Sequence, residues 1–174
     1  MSTLRSKDRQ ADALLDFIAQ AESDGNYDAV IGNARSSINL AALQLHRIYG
    51  LQSFLLHTTG RSTAVGRYQI LRKTLKELVT RYSIAEKTKF TPEFQDHLAL
   101  LLLKRRGFDK WQRNVITDVT FAHELSKEWA SFPDPLNKGK SHYEHKAGNH
   151  AAYSLDQVYE VLAALKADHA PVGA

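Results

Sequence analysis

The chain has 174 residues, 43% apolar and 24% charged, which suits one globular domain with a real core and excludes a disordered, coiled-coil or collagen-like chain. It contains no cysteine, so a disulfide framework, a thiolate nucleophile and a cysteine-ligated zinc site are excluded. Lys and Arg number 23 against 19 Asp and Glu, a formal net charge of +4, which suits an anionic partner (nucleic acid, membrane or cell wall) without choosing among them.

The N-terminal stretch Met1 to Gln10 is polar and has no apolar segment behind its basic residues, so no secretory signal is expected. The longest apolar run, Leu98 to Leu103, is six residues and too short to span a bilayer. Synthesis in the cytoplasm is expected, as a single domain over 1–174 with flexible ends at 1–10 and 170–174.

Ala11 to Glu22 reads as a helix, with Leu14, Leu15, Ile18 and Ala21 at helical spacing. Ser23-Asp24-Gly25-Asn26 ends it as a turn. Tyr27 to Ile31 is short, β-rich and stopped by Gly32-Asn33, which predicts one arm of a small β-hairpin. Ile38 to Tyr49 is predicted helical and closed by Gly50, and Gln52 to Ala64 is a predicted loop. Gly66 is expected to open a helix reaching Tyr82, with Tyr68, Leu71, Leu75, Leu78 and Tyr82 on one face. Thr91-Pro92 is an N-cap followed by Pro at the first helical position, and its helix runs through Phe94, Leu98, Leu101 and Leu102 until Gly107. Asn114 to Ser131 is a further predicted helix, with Val115, Val119, Ala122, Leu125 and Trp129 inward and Pro133 as its stop. Asp134 to Ala151 is a long Gly-, Lys- and His-rich loop. Ser154-x-x-Gln157 is a capping box for a last helix through Val158, Leu162 and Leu165. The expected class is α+β, predominantly helical, with one small β element near the N-terminus.

Two stretches carry chemistry. Glu22 follows Leu15 and Ile18 at helical spacing, on the apolar stripe and at the C-terminal end of its helix. Burial and the helix dipole both disfavour its anion there, so a raised pKa, as a general acid needs, is expected. A Glu whose stem packs while its head reaches solvent fits the same spacing. The second stretch is Ser62-Thr63-Ala64-Val65-Gly66-Arg67-Tyr68-Gln69. Its Gly permits close approach of a ligand to the backbone, and its Tyr and Gln could stack on and bond a sugar or a base. An ordinary helix start with Tyr68 in the core is the alternative.

Together with Tyr27-Asp28-Ala29-Val30-Ile31-Gly32 these stretches resemble the lambda-type phage endolysins. Phe90-Thr91-Pro92 with Gln95-Asp96, Lys104-Arg105-Arg106-Gly107, Trp129-Ala130-Ser131-Phe132-Pro133 and Tyr143-Glu144-His145-Lys146 continue the match in order, over roughly residues 11 to 165. The resemblance implies a lysozyme-like fold, a β lobe and a helical lobe flanking a cleft, and lytic transglycosylase activity on peptidoglycan glycan strands. Glu22-Ser23 followed by Gly66-x-Tyr68-Gln69 also resembles the Glu-Ser and Gly-x-x-Gln elements of the wider transglycosylase superfamily. By resemblance Glu22 is the catalytic acid and base. Ser23, Tyr27, Ser62, Thr63, Gly66, Tyr68, Gln69 and Tyr143 are implied substrate contacts, with Tyr27 to Gly32 and Tyr143 as opposing lips. The segment Asn33 to Arg61, and His142 with the Lys138-Gly139-Lys140 insertion at the second lip, depart from the family's pattern. A monomer without cofactor is expected. It would be released through a holin-type lesion to reach periplasmic peptidoglycan.

Glycosidases normally use two carboxyls. Hydrolytic phage lysozymes carry Glu-x8-Asp-x5-Thr, and here the positions after Glu22 hold Ile31 and Ser37. A transglycosylase needs no second carboxyl, which favours that reaction over a hydrolytic muramidase. His142-x-x-His145-x4-His150 could suggest zinc, but a Cys-free loop of this kind reads as solvated and no metal is expected. His123-Glu124 lacks the second His of a zincin motif, since Lys127 stands there. Arg61, Arg67, Arg72, Lys73, Lys76 and Arg81, with Lys104 to Arg106, form a candidate basic patch. Nucleic-acid binding is therefore the rival reading, but no recognised binding motif supports it.

Overall fold

The apolar stripes become helices. The computed structural model describes residues 8–31, 37–60, 62–146 and 149–168. Its helices are α1 (Arg9–Ser23), α2 (Leu45–Thr59), α3 (Arg72–Arg81), α4 (Pro92–Arg105), α5 (Phe108–Gln112), α6 (Asp118–Glu128) and α7 (Leu155–Ala167), with 3-10 turns at Leu40–Ala42 and Pro135–Asn137. Among the described residues there is no β-strand, only isolated antiparallel bridges. The molecule is predominantly helical, and among the described residues nothing supports the expected N-terminal β-hairpin lobe.

The chain divides into two compact units. One is Glu22–Ala99 and the other combines 8–21 with 100–168 among the described residues. Helices α1 and α4 each run through a unit boundary, so Glu22 and Ser23 open the first unit while the rest of α1 belongs to the second.

In the first unit, Asn26 accounts for the missing hairpin. Its side chain accepts the Asp28 N–H at 2.9 Å and its carbonyl accepts the Ala29 N–H at 3.3 Å, so Tyr27 and Asp28 lie in a turn. Ile31 then takes φ 51°, a conformation that β-branched residues avoid, leaving Val30 alone to pair with Val65. Gly32-Asn33, the predicted stop, lies outside the described residues, as do 1–7 and 169–174.

Helix α2 passes through Gly50 and ends at Gly60, which takes the left-handed φ of 64°. Its buried face is Leu45, Ile48, Tyr49, Gln52 and Leu55. Gln52 is fully buried because its amide donates to the Thr63 and Ile70 carbonyls at 2.8 and 3.0 Å, so the predicted loop is helix as far as Thr59 and loop only over Ser62 to Ala64. The helix expected from Gly66 starts only at Arg72, because Gly66 at φ 79° and Gln69 at φ 47° cannot be α-helical. Leu71 and Tyr82, placed on its inner face by spacing, are each 47% exposed.

The second unit packs α1, the end of α4 and α5 to α7. Leu14, Leu15 and Ile18 are buried, and α1 begins at Arg9 with Gln10 donating to the Leu165 carbonyl at 2.7 Å. Gly107 (φ 91°) stops α4, and the short α5 buries Phe108 and Trp111. Trp111 stacks on Phe121 at 5.0 Å. Helix α6 begins at the Thr117 cap, so Val115 and Val119 point outward while Ala122, Leu125 and Trp129 are buried. Arg105 and Arg106 both reach the Glu128 carboxylate at 2.8 Å, so they are internal ion-pair partners rather than a solvated patch. The capping box at Ser154 is formed, and Val158, Leu162 and Leu165 of α7 are buried.

Candidate active site

The last turn of α1 presents Glu22, half-buried, and then Ser23, fully buried. The Ser23 hydroxyl donates to the Arg67 carbonyl at 2.7 Å, which fastens the helix end to the 66–69 turn. That turn is pinned from several sides. Val65 and Ile70 exchange backbone hydrogen bonds at 3.3 and 3.0 Å, the Gly66 N–H donates to Ala29 at 2.8 Å, and the Ile31 N–H donates to Ala64 at 3.0 Å.

Gly66 is demanded twice over. Its φ is left-handed, and a Cβ there would collide with the Gln95 carboxamide oxygen and stand 2.9 Å from Phe90. Gln95, buried in α4, uses that oxygen to accept the Arg67 N–H at 2.9 Å and its amide to donate to the Phe90 and Tyr27 carbonyls at 3.0 and 3.1 Å. One side chain thus joins the 66–69 turn to the 26–29 turn.

Beside it lies a polar cluster. Tyr68 donates to Asp96 at 2.7 Å, Tyr27 reaches both Asp96 oxygens at 2.9 Å, and an Arg67 amine donates to the Tyr68 and Tyr27 hydroxyls at 2.9 and 3.2 Å. The Arg67 guanidinium also sits over the Tyr27 and Tyr68 rings, 5.0 and 5.4 Å from their centroids. Burial pushes the Tyr27 phenol up to about 12, helped by its bond to Asp96. Burial raises the Tyr68 phenol further still. Both are therefore protonated donors at neutral pH.

The sequence-predicted contacts are therefore placed unevenly. Ser23, Tyr27, Gly66 and Tyr68 belong to one bonded set, but Tyr68 is only 1% exposed and its hydroxyl is committed to Asp96. Gln69 is half-buried and its amide folds back onto the Gly66 carbonyl at 2.8 Å. Half-buried Thr63 accepts the Arg72 N–H at 3.0 Å, and half-buried Ser62 accepts the Ala64 N–H at 3.1 Å. Tyr143 belongs to the second unit, where its hydroxyl donates to the Lys127 carbonyl at 2.7 Å. Over residues 27–31 the expected lip is a turn rather than a β arm.

Three residues that organise this region have no site role in the sequence reading, although each lies in a motif it quotes: Arg67, Gln95 and Asp96. Arg67 was grouped with the basic patch, although it is turned inward to Asp96 at 3.6 Å. The Gln95-Asp96 pair sits one helical turn behind the Thr91-Pro92 cap, and two polar residues there before the Leu98 stripe were the available signal.

A family model described as Endolysin matches residues 12–163, most of the chain. The chain belongs to the endolysin family. No curated protein and no solved structure matches it. The endolysin is thus a phage lysis enzyme that degrades peptidoglycan. Among its described residues no helix is long and apolar enough to cross a membrane. Glu22 and every residue of the Gly66 turn lie inside the matched segment.

Proposed function

We propose that this endolysin is a lytic transglycosylase that cleaves the MurNAc-β-1,4-GlcNAc bond with Glu22 as its catalytic residue. The observation that carries the reading is that the second carboxyl of the hydrolytic phage lysozymes is absent at its spacing. The hydrolytic spacing from Glu22 falls on Ile31 and Ser37. Asp24 and Asp28, the acids next along the chain, sit at the wrong spacing; Asp28 also accepts the Leu40 N–H at 2.7 Å, and Asp96 is bonded to Tyr27 and Tyr68.

Protonated Glu22 donates to the glycosidic oxygen as the bond breaks. Charge developing at the MurNAc anomeric carbon is stabilised by the sugar's own N-acetyl group. The Glu22 carboxylate then takes the proton of the MurNAc C6 hydroxyl, which closes a 1,6-anhydro ring. One carboxyl serves as acid and then as base. The remaining contacts in the unit that holds Glu22 are Ser62, Thr63, Gln69 and Tyr27. The space beside Gly66 is taken by Gln95 and Phe90, so Gly66, Ser23 and Tyr68 act by holding the turn. The enzyme works as a monomer on periplasmic glycan strands after holin-type release.

Glu22→Gln keeps the shape and removes the proton. Lysis of purified sacculi should fall by at least about 10²-fold, with an unchanged circular-dichroism spectrum and melting temperature. Substantial activity in a folded Glu22→Gln protein would overturn the assignment.

A further inference from the structure

His123 of α6 and His142 of the following loop share one carboxylate. The Nδ1 of His123 lies 2.7 Å from Asp134 Oδ1, and the Nδ1 of His142 lies 2.7 Å from Asp134 Oδ2. The rings stand 5.8 Å apart at 67°. Asp134 is 2% exposed, and among the described residues no Lys or Arg reaches it. Its Oδ1 also accepts the Leu136 N–H at 2.9 Å. A buried carboxylate needs a cation to offset its desolvation, and this one is faced only by two imidazoles and a backbone amide.

We propose that His123, Asp134 and His142 form a binding site for a divalent transition metal of the zinc class. Donor atoms of the three residues lie within 4.8 Å of one another. Tetrahedral zinc holds such donors about 3.3 Å apart at bonds of about 2.0–2.2 Å, so side-chain shifts of about an ångström suffice. Two imidazoles and a carboxylate are borderline ligands that suit Zn²⁺ and Co²⁺ over Mg²⁺ or Ca²⁺. The ion replaces the imidazole N–H donors and supplies the cation that the buried carboxylate lacks. A solvent molecule completes the coordination, entering on the His142 side, which is 34% exposed. No metal is expected from the sequence; the set that spacing alone could suggest, His142, His145 and His150, is a different one, and both His145 and His150 are exposed.

The site has a structural consequence. Pro133 and Ser141 bridge the base of the loop, and Tyr143 follows His142 directly. A bound ion fastens this loop to α6 and so fixes the backbone that carries Tyr143.

The test uses the untagged, metal-free full chain titrated with Zn²⁺ and with Co²⁺. Calorimetry should give one saturable site per chain, Zn²⁺ should raise the melting temperature, and bound Co²⁺ should show visible bands of low-coordinate geometry. His142→Gln, on the exposed side, should weaken Zn²⁺ binding by more than about 100-fold, beyond what loss of an outer-shell partner produces. His123→Gln should do the same, and His145→Gln should change nothing. Absence of a saturable site in the parent protein, or parental affinity in a folded His142→Gln, would overturn the proposal and leave the trio as a hydrogen-bonded clip. Neither result bears on the reaction assigned to Glu22.

Discussion

Two carboxylates, Asp96 in the first unit and Asp134 in the second, are held in opposite ways. Asp96 is 27% exposed in its side chain, accepts two tyrosine hydroxyls and has the Arg67 guanidinium 3.6 Å away. Asp134 is more deeply buried, at 3% in its side chain, yet has only two histidines. The first cluster carries its own permanent cation and is closed around it. The second has two imidazoles where the first has a guanidinium. Charge balance, rather than burial, separates a finished structural cluster from one able to take a ligand.

The largest effect that sharpens this contrast concerns the turn beside Asp96. Gly66→Ala meets both a left-handed φ and the Gln95 and Phe90 side chains, and should cost about 3 kcal/mol. Gly139→Ala beside Asp134 has a similar φ of 78° but meets only Leu155 at 3.4 Å, and should cost about 1 kcal/mol. Chemical denaturation of both variants measures the difference, and equal costs would break the contrast in tightness.

Next in size is Arg67→Met, which leaves Asp96 without its cation. It should destabilise by about 2 kcal/mol, less than for a fully buried pair because Asp96 is partly solvated. The arginine also lowers the Tyr27 phenol against burial and Asp96, so its removal should push that phenol above its present value of about 12. Ultraviolet titration reads this directly, and a fall would show that Arg67 does not stabilise the phenolate.

Asp134→Asn should have the smallest effect at neutral pH, about 1 kcal/mol. Burial works against the Asp134 charge, but hydrogen bonds from His142, His123 and the Leu136 N–H outweigh it and hold its pKa below the usual carboxylate range. The folded pKa is therefore below the unfolded one. The stabilisation is complete above the unfolded pKa of about 3.9 and is lost as acid titrates the folded group. Melting curves of parent and Asp134→Asn should converge below about pH 4, and a gap that widens there would contradict the sign.

Helices with local signals at both ends were legible. The Thr91-Pro92 start and Gly107 stop bound α4, and the Ser154 capping box opens α7. Features decided by distant partners were not. Gln52 looks like a loop residue until the Thr63 and Ile70 carbonyls satisfy its amide. Tyr68, Leu71, Leu75 and Leu78 keep helical spacing across a turn that two left-handed residues enforce. Glu22, Gly66 and the tyrosines were visible as residue types in order. Gln95, which joins the two turns, was visible only as part of a short motif, because its role lies in contacts far along the chain. Asp134 was hidden for the same reason, since its histidines lie 11 and 8 residues away and share no helical or turn register with it.

The central claim is that a single carboxyl, Glu22, performs the cleavage. Mass spectrometry of muropeptides released from purified sacculi tests it most directly. The account predicts products ending in 1,6-anhydro-MurNAc, lighter than the hydrolytic products by one water. Products with reducing MurNAc ends would contradict it and require a second catalytic group that positions a water.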